Sequence, residues 1–399
     1  MIRITDKKDC CGCHACSNVC PKQCISMQSD EEGFLYPIVD TQKCIDCGLC
    51  ENVCPIINRG KSRSPINVFA AKNNNEEIRI KSSSGGIFTL LAEKIIIEGG
   101  VVFGAKFDKN WDVKHGYTET IEGLAAFRGS KYVQSQIEDN YQKAEKFLKQ
   151  GRKVLFSGTP CQIAGLKCFL RKEYENLTTI DFICHGVPSP GVWRKYLKET
   201  VIHMCEKKTA LPGSISKRNT HIESISFRDK NLGWKKYSFT LTLSITSNNG
   251  IKNTVLLQSS KYKNPFLIGF LRDLYLRPSC HQCPAKEFNS GSDVTIADFW
   301  GINKYMKNQN DHKGHSLIFI HNQNLQLPTN NMWSSAVDIN DICKNNIVIY
   351  RSAIPHKNRT AFFSSFRNGS EKITNLIYKY ATVGIKKQLR LFIANLLKN

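Results

Sequence analysis

The chain has 399 residues, 41% of them hydrophobic and 10% aromatic, with 17 cysteines and a formal net charge of +22. This length predicts two or three domains, and the apolar fraction is enough for packed cores. No apolar stretch approaches the roughly 20 residues that a transmembrane helix needs, and the first residues lack a signal-peptide core. We therefore expect a cytoplasmic protein whose cysteines are thiols or metal ligands rather than disulfides.

The basic residues are spread along the chain, without a Lys/Arg run of the kind found in nucleic-acid-binding arms. No recognised nucleic-acid motif accompanies the charge, so nucleic acid is not the expected partner. A basic surface also suits acidic electron-carrier proteins such as ferredoxin or flavodoxin, anionic small molecules and anionic lipid headgroups.

Two runs of cysteines near the start share the spacing C-x2-C-x2-C-x3-C-P, which is that of bacterial two-cluster ferredoxins. In such runs the first three thiolates wrap one cubane, and the fourth begins a segment that reaches the partner cubane. Structural zinc usually takes cysteine pairs at longer separations, and a disulfide knot needs an oxidising compartment. The spacing therefore predicts two [4Fe-4S] clusters, one held by Cys10, Cys13, Cys16 and Cys54 and the other by Cys44, Cys47, Cys50 and Cys20.

Between the two runs, short apolar stretches on either side of residues 30–33 predict a β-hairpin. Residues 1–60 are too few to bury an adequate core, so cluster ligation is expected to supply much of this domain's stability. Cys11 and Cys24 fall outside the spacing and are interpreted as packed residues near the clusters or as spare thiols. The polar stretch after Pro55 contains glycine and proline and predicts a linker that ends near Pro65.

Beyond the linker, helix-like and strand-like segments alternate, as in GGIFTLLAEKIIIEGG followed by VVFGAKF. This order predicts a largely parallel sheet covered by helices. From about Glu223 to Gln258 the pattern changes to β-type alternation, which predicts an antiparallel insertion ahead of the apolar helix NPFLIGFLRDLYL. The expected fold is a small ferredoxin-like module followed by a helix-covered mixed sheet, an α+β and α/β multidomain architecture.

Three turns that contain glycine and serine stand where predicted elements meet. SSSGG (Ser82 to Gly86) precedes a helix, where it would suit a phosphate or serve as a simple N-cap. FSGTPCQ closes a strand and opens a helix, which is where ligands bind in open α/β sheets. GSKYVQS is uninformative alone. None of the three matches G-x-G-x-x-G, so an ordinary Rossmann nicotinamide site is not supported.

Four later cysteines form a second pattern. Cys161 stands at a predicted helix start and Cys184 ends a predicted strand, while Cys280 and Cys283 form CHQC. A helix start lowers the pKa of a thiol and favours the thiolate that a metal needs. The four could meet as one thiolate site; alternatively, Cys161 is a redox nucleophile and Cys184 a packed core thiol.

These landmarks together resemble the coenzyme F-420 hydrogenase/dehydrogenase beta-subunit family, in the form with an N-terminal two-cluster ferredoxin. The resemblance is carried by SSSGGIFT, GSKYVQS, FSGTPCQIAGL, CHGVPS, ISFRDK, RPSCHQCPAK and SDVTIADFWGI. It covers about four-fifths of the chain. It implies a beta-subunit N-terminal region at 61–150 and a C-terminal flavin and iron–sulfur region at 151–330, and it leaves 331–399 as a basic extension.

The resemblance further implies FAD and a third [4Fe-4S] cluster. Carried over by motif, Cys161, Cys184, Cys280 and Cys283 become the ligands of that cluster. The flavin would lie near Ser84, Gly85 and Gly86, with contributions from Lys131, Ser157, Gly158 and Thr159 and with Asp298, Trp300 and Gly301 at the far wall.

The first functional hypothesis is an oxidoreductase that passes electrons between the ferredoxin clusters and FAD, to reduce or oxidise an organic substrate or the deazaflavin coenzyme. A flavin converts between one-electron and two-electron chemistry, which explains why both kinds of centre share a chain. Lys131 and His185 are the candidate substrate-side groups; alternatively, His185 hydrogen-bonds a cluster sulfur.

The alternative is an electron-transfer subunit of a larger hydrogenase or dehydrogenase complex, in which a partner protein does the chemistry. A third class is a non-catalytic redox sensor or nucleic-acid binder, which would hold no flavin. The last 17 residues predict a basic amphipathic helix with Ile385, Leu389, Phe392 and Leu396 near one face. That helix could contact an anionic membrane surface, or pack on its own domain or a partner.

Overall fold

A computed structural model describes residues 1–208, 220–246, 252–345 and 347–381. Its strands are β1 Ile25–Ser29, β2 Leu35–Val39, β3 Asn67–Asn73, β4 Val101–Phe107, β5 Val113–Thr118, β6 Val154–Ser157, β7 Leu177–Phe182, β8 Thr220–Asp229, β9 Ser238–Thr246, β10 Lys252–Ser260, β11 Val294–Asp298, β12 Ser316–Ile320 and β13 Met332–Ala336. Its α-helices are α1 Ala15–Val19, α2 Leu49–Asn52, α3 Glu76–Lys81, α4 Ile87–Ile97, α5 Asn140–Lys149, α6 Pro160–Leu170, α7 Pro190–Lys208, α8 Pro265–Leu271, α9 Ile302–Tyr305, α10 Ile339–Asn345, α11 Arg359–Asn368 and α12 Ile373–Ala381.

The body of the protein is an eight-stranded mixed sheet in the order β13-β3-β12-β11-β7-β6-β4-β5. Strands β4, β6, β7 and β11 are parallel neighbours, and the strands outside them pair antiparallel. Phe103 and Phe156 face a core formed with α5 and α6, whereas Val102 and Leu155 face a second core beneath α4. Both faces of the central strands are therefore covered, which is why the segments Val101–Phe103 and Val154–Phe156 are continuous apolar runs.

All four parallel strands end at the same edge of the sheet. Their last residues are Phe107, Ser157, Phe182 and Asp298. Strand β12 runs the opposite way and begins at this edge, where Ser316 pairs with Asp298. This carboxyl edge is where the loops of an open α/β sheet bind ligands.

The predicted antiparallel insertion is present as a separate three-stranded sheet in the order β10-β9-β8. It packs on α7 and α8 through an aromatic core that includes Trp193, Phe227, Phe239 and Phe266. The helix predicted over 264–276 is shorter, because Asp273 adopts a left-handed conformation with φ 58° and turns the chain. The turn brings Leu276 into a bridge with Pro188.

The N-terminal module contains the predicted hairpin, β1 paired with β2, and two short helices that each contain the third cysteine of a run. Its hairpin turn packs tightly on the start of α7: a Cβ on Gly33 would lie 2.3 Å from the backbone nitrogen of Gly191. Glu32 in the same turn pairs with Arg359 of α11, with a shortest N···O distance of 2.5 Å. The module is therefore docked on the body.

The predicted linker also contacts the body, since Arg63 donates to the carbonyls of Phe288 and Ser292. Within the ranges given above, no helix is both long and apolar enough to cross a bilayer. The predicted C-terminal amphipathic helix, with Ile385, Leu389, Phe392 and Leu396, lies outside the described residues.

Candidate iron–sulfur centres and flavin site

The first predicted set of thiols, here called the inner set, consists of Cys10, Cys13, Cys16 and Cys54. Burial raises the pKa of Cys16, and the neighbouring Cys10 and Cys54 thiols raise it further. Cys10 acts in the same way on Cys13 and Cys54. The four thiols thus lie close enough to repel one another as thiolates, which is the arrangement that bound iron would relieve.

The second predicted set, the outer set, consists of Cys20, Cys44, Cys47 and Cys50. All four line a hollow that is partly open to solvent. Cys47 is exposed, and Ile45 beside it is 59% exposed. The thiol sulfurs of Cys50 and Cys44 already accept backbone N–H bonds of 3.2 and 3.4 Å. Such bonds stabilise cluster sulfurs and tune their potentials.

Cys24, outside the ferredoxin spacing, forms part of the wall of the same hollow, with its sulfur 3.3 Å from that of Cys20. Among the described residues, no three His, Cys, Asp or Glu side chains are arranged to hold a single metal ion. A [4Fe-4S] cluster sets a different requirement, because its four thiolates would each bind a different iron atom.

The body set consists of Cys161, Cys184, Cys280 and Cys283. Burial raises the pKa of Cys184 most, and the thiols of Cys280, Cys161 and Cys283 raise it further. Burial likewise raises the pKa of Cys280 to about 12, with Cys161 and Cys283 contributing. The two strand-end cysteines and the C-x2-C pair, far apart in sequence, thus lie together at the carboxyl edge.

The capping of α6 explains the position of Cys161. Thr159 caps this helix in a reciprocal arrangement with Gln162, and Pro160 occupies the first turn. The Thr159 hydroxyl lies 3.2 Å from the Cys161 sulfur. Ser157 donates to the Phe103 carbonyl and the Gly158 N–H to the Ile180 carbonyl. Hydrogen bonds to β4 and β7 therefore hold the FSGTPCQ turn, and Cys161 lies at the carboxyl edge of the sheet.

The inner set adjoins the body set at a seam along α6. A Cβ on Gly165 would lie 2.8 Å from the Cys13 Cβ and 2.9 Å from its sulfur. Gly165 stands one helical turn after Cys161, and the neighbouring Cys11 thiol, together with burial, raises the pKa of Cys161. The sequence does not single out Gly165, because its role depends on a residue that precedes it by 152 positions (165 − 13).

The SSSGG turn uses several of its polar groups in tertiary contacts. Ser83 bonds Ser130, Ser84 donates to the His315 carbonyl, and the Gly85 N–H donates to the Ser316 hydroxyl. Gly86 caps α4 in a left-handed conformation with φ 81°. A phosphate at this turn would have to use other groups or displace these contacts.

Lys131 follows the turn that contacts Ser83. Its ammonium donates to the carbonyls of Arg128 and Gly129, at 3.0 and 3.3 Å. Burial lowers the pKa of Lys131 to about 7. A lysine with such a pKa can exchange a proton near neutral pH, which is what a substrate-side acid needs.

The predicted far wall is built on a buried arginine that the sequence did not reveal. Asp298 pairs with Arg228 at 2.6 Å, and Trp300, which precedes Gly301 at the start of α9, stacks on Trp234 with centroids 4.7 Å apart. Within the described structure, Nε and Nη2 of Arg228 are buried without a hydrogen-bond partner. Two unpartnered N–H donor groups beside stacked rings fit a planar ligand that carries hydrogen-bond acceptors.

His185 follows the body-set cysteine Cys184 and pairs through Nε2 with Asp273, at 2.6 Å. Asp273 lies just after helix α8, so this ion pair joins two loops of the carboxyl edge. A hydrogen bond from His185 to a cluster sulfur could involve only its other ring nitrogen.

Comparison with known families agrees with this architecture. The description "4Fe-4S dicluster domain" matches residues 9–56. The fold and this match define an iron–sulfur redox protein with a mixed α/β body. The description "Coenzyme F-420 hydrogenase/dehydrogenase, beta subunit" matches in both its parts, the N-terminal part over residues 68–139 and the C-terminal part over residues 151–342. The chain belongs to the coenzyme F-420 hydrogenase/dehydrogenase beta-subunit family, in the form with an N-terminal dicluster domain, and the sequence resemblance is confirmed.

One solved structure that matches is a xenon derivative of the F-420-reducing [NiFe] hydrogenase complex from Methanosarcina barkeri. It is 17% identical, covers 80% of this chain and 90% of that chain, and has a TM-score of 0.39. Among curated proteins, no relative matches the chain.

Proposed function

We propose that this protein is an iron–sulfur flavoprotein oxidoreductase that passes electrons between its N-terminal clusters and FAD, and so reduces or oxidises an organic substrate or a deazaflavin coenzyme. The observation that carries the proposal is the seam on α6. Cys13 of the inner set packs on Gly165, one turn from Cys161 of the body set. Family membership supports oxidoreductase chemistry in general.

Most of the functional residues would bind the cofactors, and one would act at the substrate side. The inner, outer and body sets would each hold one cubane, while Arg228 and the turns at Ser84 and Thr159 would hold the flavin. When bound, clusters supply one-electron and flavin two-electron chemistry. Lys131 would hold a proton at Nζ at the substrate side. Water would be excluded where Cys13 packs on α6, because Cys13 and Gly165 are both buried there.

The deciding experiment is anaerobic purification of the full chain, with iron, sulfide and flavin counted per chain. Three cubanes and one flavin give about twelve iron atoms and one FAD. About eight iron atoms without flavin would reduce the protein to a ferredoxin fused to a body of another function. A Cys168→Ser protein, altered at a cysteine outside the three sets, should retain the full iron content.

The second candidate is an electron-transfer subunit whose partner does the substrate chemistry. The family name, which describes a beta subunit, favours it. So does the outer set, because exposed Cys47 and Ile45 would let a protein partner approach that cluster closely. With a net charge of +22, an acidic carrier such as ferredoxin or flavodoxin would be attracted. A stoichiometric dehydrogenase-type protein in a pull-down from the source cell, with no substrate turnover by the isolated chain, would favour this candidate.

The abundance of thiols fits a reducing compartment, and we place the protein in the cytoplasm. Cell fractionation tests this placement.

Lys131→Met and His185→Gln test the two substrate-side groups: loss of turnover with unchanged flavin and iron content is expected for a residue that contacts substrate.

A further inference from the structure

Arg277 is a completely buried cation between the inner set and the body set. Its backbone belongs to the loops that carry the body set: its N–H donates to Val187, and its carbonyl accepts from the Cys280 N–H. Its side chain reaches the other way, into the N-terminal module. One residue thus joins the two groups of cysteines directly.

The guanidinium is enclosed by the module and by Gln134 of the body. Nε donates to the Cys10 carbonyl at 2.8 Å and Nη2 to the Leu35 carbonyl at 2.9 Å. Nη1 donates to the Gln134 amide oxygen at 2.9 Å, and Nη2 also lies 3.5 Å from the Cys10 sulfur. The Tyr36 ring lies over the guanidinium, 4.3 Å from its carbon.

The backbone at Gly12 packs closely against the Arg277 guanidinium. Gly12, with φ 69°, passes so close that a Cβ would lie 2.7 Å from the Gln134 amide nitrogen and 2.8 Å from Nη1 of Arg277. Glycine at position 12 therefore leaves the space that the Arg277 side chain occupies.

No carboxylate within the described ranges forms an ion pair with Arg277, whose partners are neutral carbonyls, an amide, an aromatic ring and a thiol. Burying an unpaired charge is costly, so the folded protein needs an anion close to it. Arg359, a largely buried arginine at the same interface, has that anion in Glu32. The thiol in hydrogen-bond contact with Arg277 is Cys10 of the inner set, and the other nearby groups able to carry negative charge are Tyr36, Cys11 and the body-set Cys280.

We propose that Arg277 is the counter-cation of the inner cluster and raises its reduction potential above that of the outer cluster. A cubane held by four thiolates is anionic and gains negative charge on reduction, so an adjacent cation stabilises the reduced form. Met1 and Lys22 line the outer hollow, but in the described structure the outer-set sulfurs accept hydrogen bonds from backbone N–H groups and from no guanidinium or ammonium group. The asymmetry draws electrons from the exposed cluster to the one beside Cys161. This inference rests on the proposed function, because it requires the clusters to be present.

The test is a potentiometric titration with dithionite, followed by electron paramagnetic resonance, on the anaerobically purified full chain. The inner-cluster signal is the one that disappears in Cys16→Ala. In Arg277→Gln we expect the reduction equilibrium of that cluster to shift at least tenfold, a fall of about 59 mV for a one-electron couple. Arg277→Lys retains the charge and should shift it less than tenfold.

Two further variants separate charge from structure. Gln134→Glu leaves Arg277 in place but neutralises it, and should lower the same potential even if Arg277→Gln fails to retain iron. Arg359→Gln is the matched control, since it removes a largely buried guanidinium from the same interface whose charge Glu32 already balances.

Unchanged inner-cluster potentials in both Arg277→Gln and Gln134→Glu would refute the proposal and leave the proposed function standing. An equal fall in Arg359→Gln, or a shift confined to another signal, would also refute it. A wild-type protein without cluster signals would instead refute the proposed function, and this inference with it.

Discussion

Replacing Gly165 by alanine tests the seam on which the electron path depends. The new Cβ would meet Cys13 at 2.8 and 2.9 Å and the Tyr141 hydroxyl at 3.1 Å. Carbon contacts are comfortable at about 3.5–4.0 Å, so either the module or α6 must move by roughly half an ångström or more. Overpacking of this kind costs about 1–3 kcal/mol, whereas alanine in place of glycine in a helix gains about 1 kcal/mol.

The overpacking cost and the helix-propensity gain have opposite signs, so the measured change in the free energy of unfolding distinguishes them. With the module docked as described, Gly165→Ala should be destabilised by up to about 2 kcal/mol in anaerobic denaturation. It should also transfer electrons more slowly from the N-terminal clusters to the body in stopped-flow reduction. Lys167→Ala places the same residue on the same helix away from Cys13, and should leave that rate unchanged.

A Gly165→Ala protein that is about 1 kcal/mol more stable than wild type, with unchanged transfer, would contradict this docking. The helix-propensity gain would then be unopposed, and Cys13 could not be packed on α6.

Three other predictions concern a largely buried ion pair, a buried carboxyl and the third cluster. Glu32→Gln leaves Arg359 without its counter-charge, so denaturation should show a loss of about 3–5 kcal/mol. Burial raises the pKa of Asp181 from 3.8 to about 6. The neutral form of this carboxyl therefore contributes fully to the free energy of unfolding below pH 4, and that contribution is lost as the pH rises through 6. Asp181→Asn should therefore be about 3 kcal/mol more stable than wild type at pH 7.5 and nearly equal to it at pH 4. The double change of Cys280 and Cys283 to serine should remove about four iron atoms per chain while leaving the ferredoxin signals.

Each of these has a matched comparison. Glu77→Gln breaks an exposed ion pair with Lys81 and should lower the free energy of unfolding by less than about 1 kcal/mol. If Glu32→Gln lowers it by no more than that, the hairpin is not docked. For Asp181, stability curves of wild type and variant that stay parallel from pH 4 to 7.5 would show an unshifted carboxyl. If the double serine protein retains all its iron, the body set holds no cluster.

The ferredoxin cysteines and the central α/β alternation were predictable because their information is local. Three thiolates of one cubane come from a loop in which each is three residues from the next, so the spacing itself predicts the site. Strands β4, β6 and β7 and the helices between them follow from apolar periodicity and lie within a few residues of the predicted segments. Strands β3, β5, β11, β12 and β13 were not identified, because strand formation depends more on sheet neighbours than on local propensity.

The sequence alone also indicated Cys161, Cys184, Cys280 and Cys283 as a candidate set, through strand ends, a C-x2-C pair and a family resemblance. Only the tertiary structure brought these thiols together, and only it revealed Gly165, Arg228 and Arg277. The role of each of these three comes from contact with residues tens to hundreds of positions away. A close approach or an unbalanced buried charge is a property of two distant segments, and no local pattern of residues contains it.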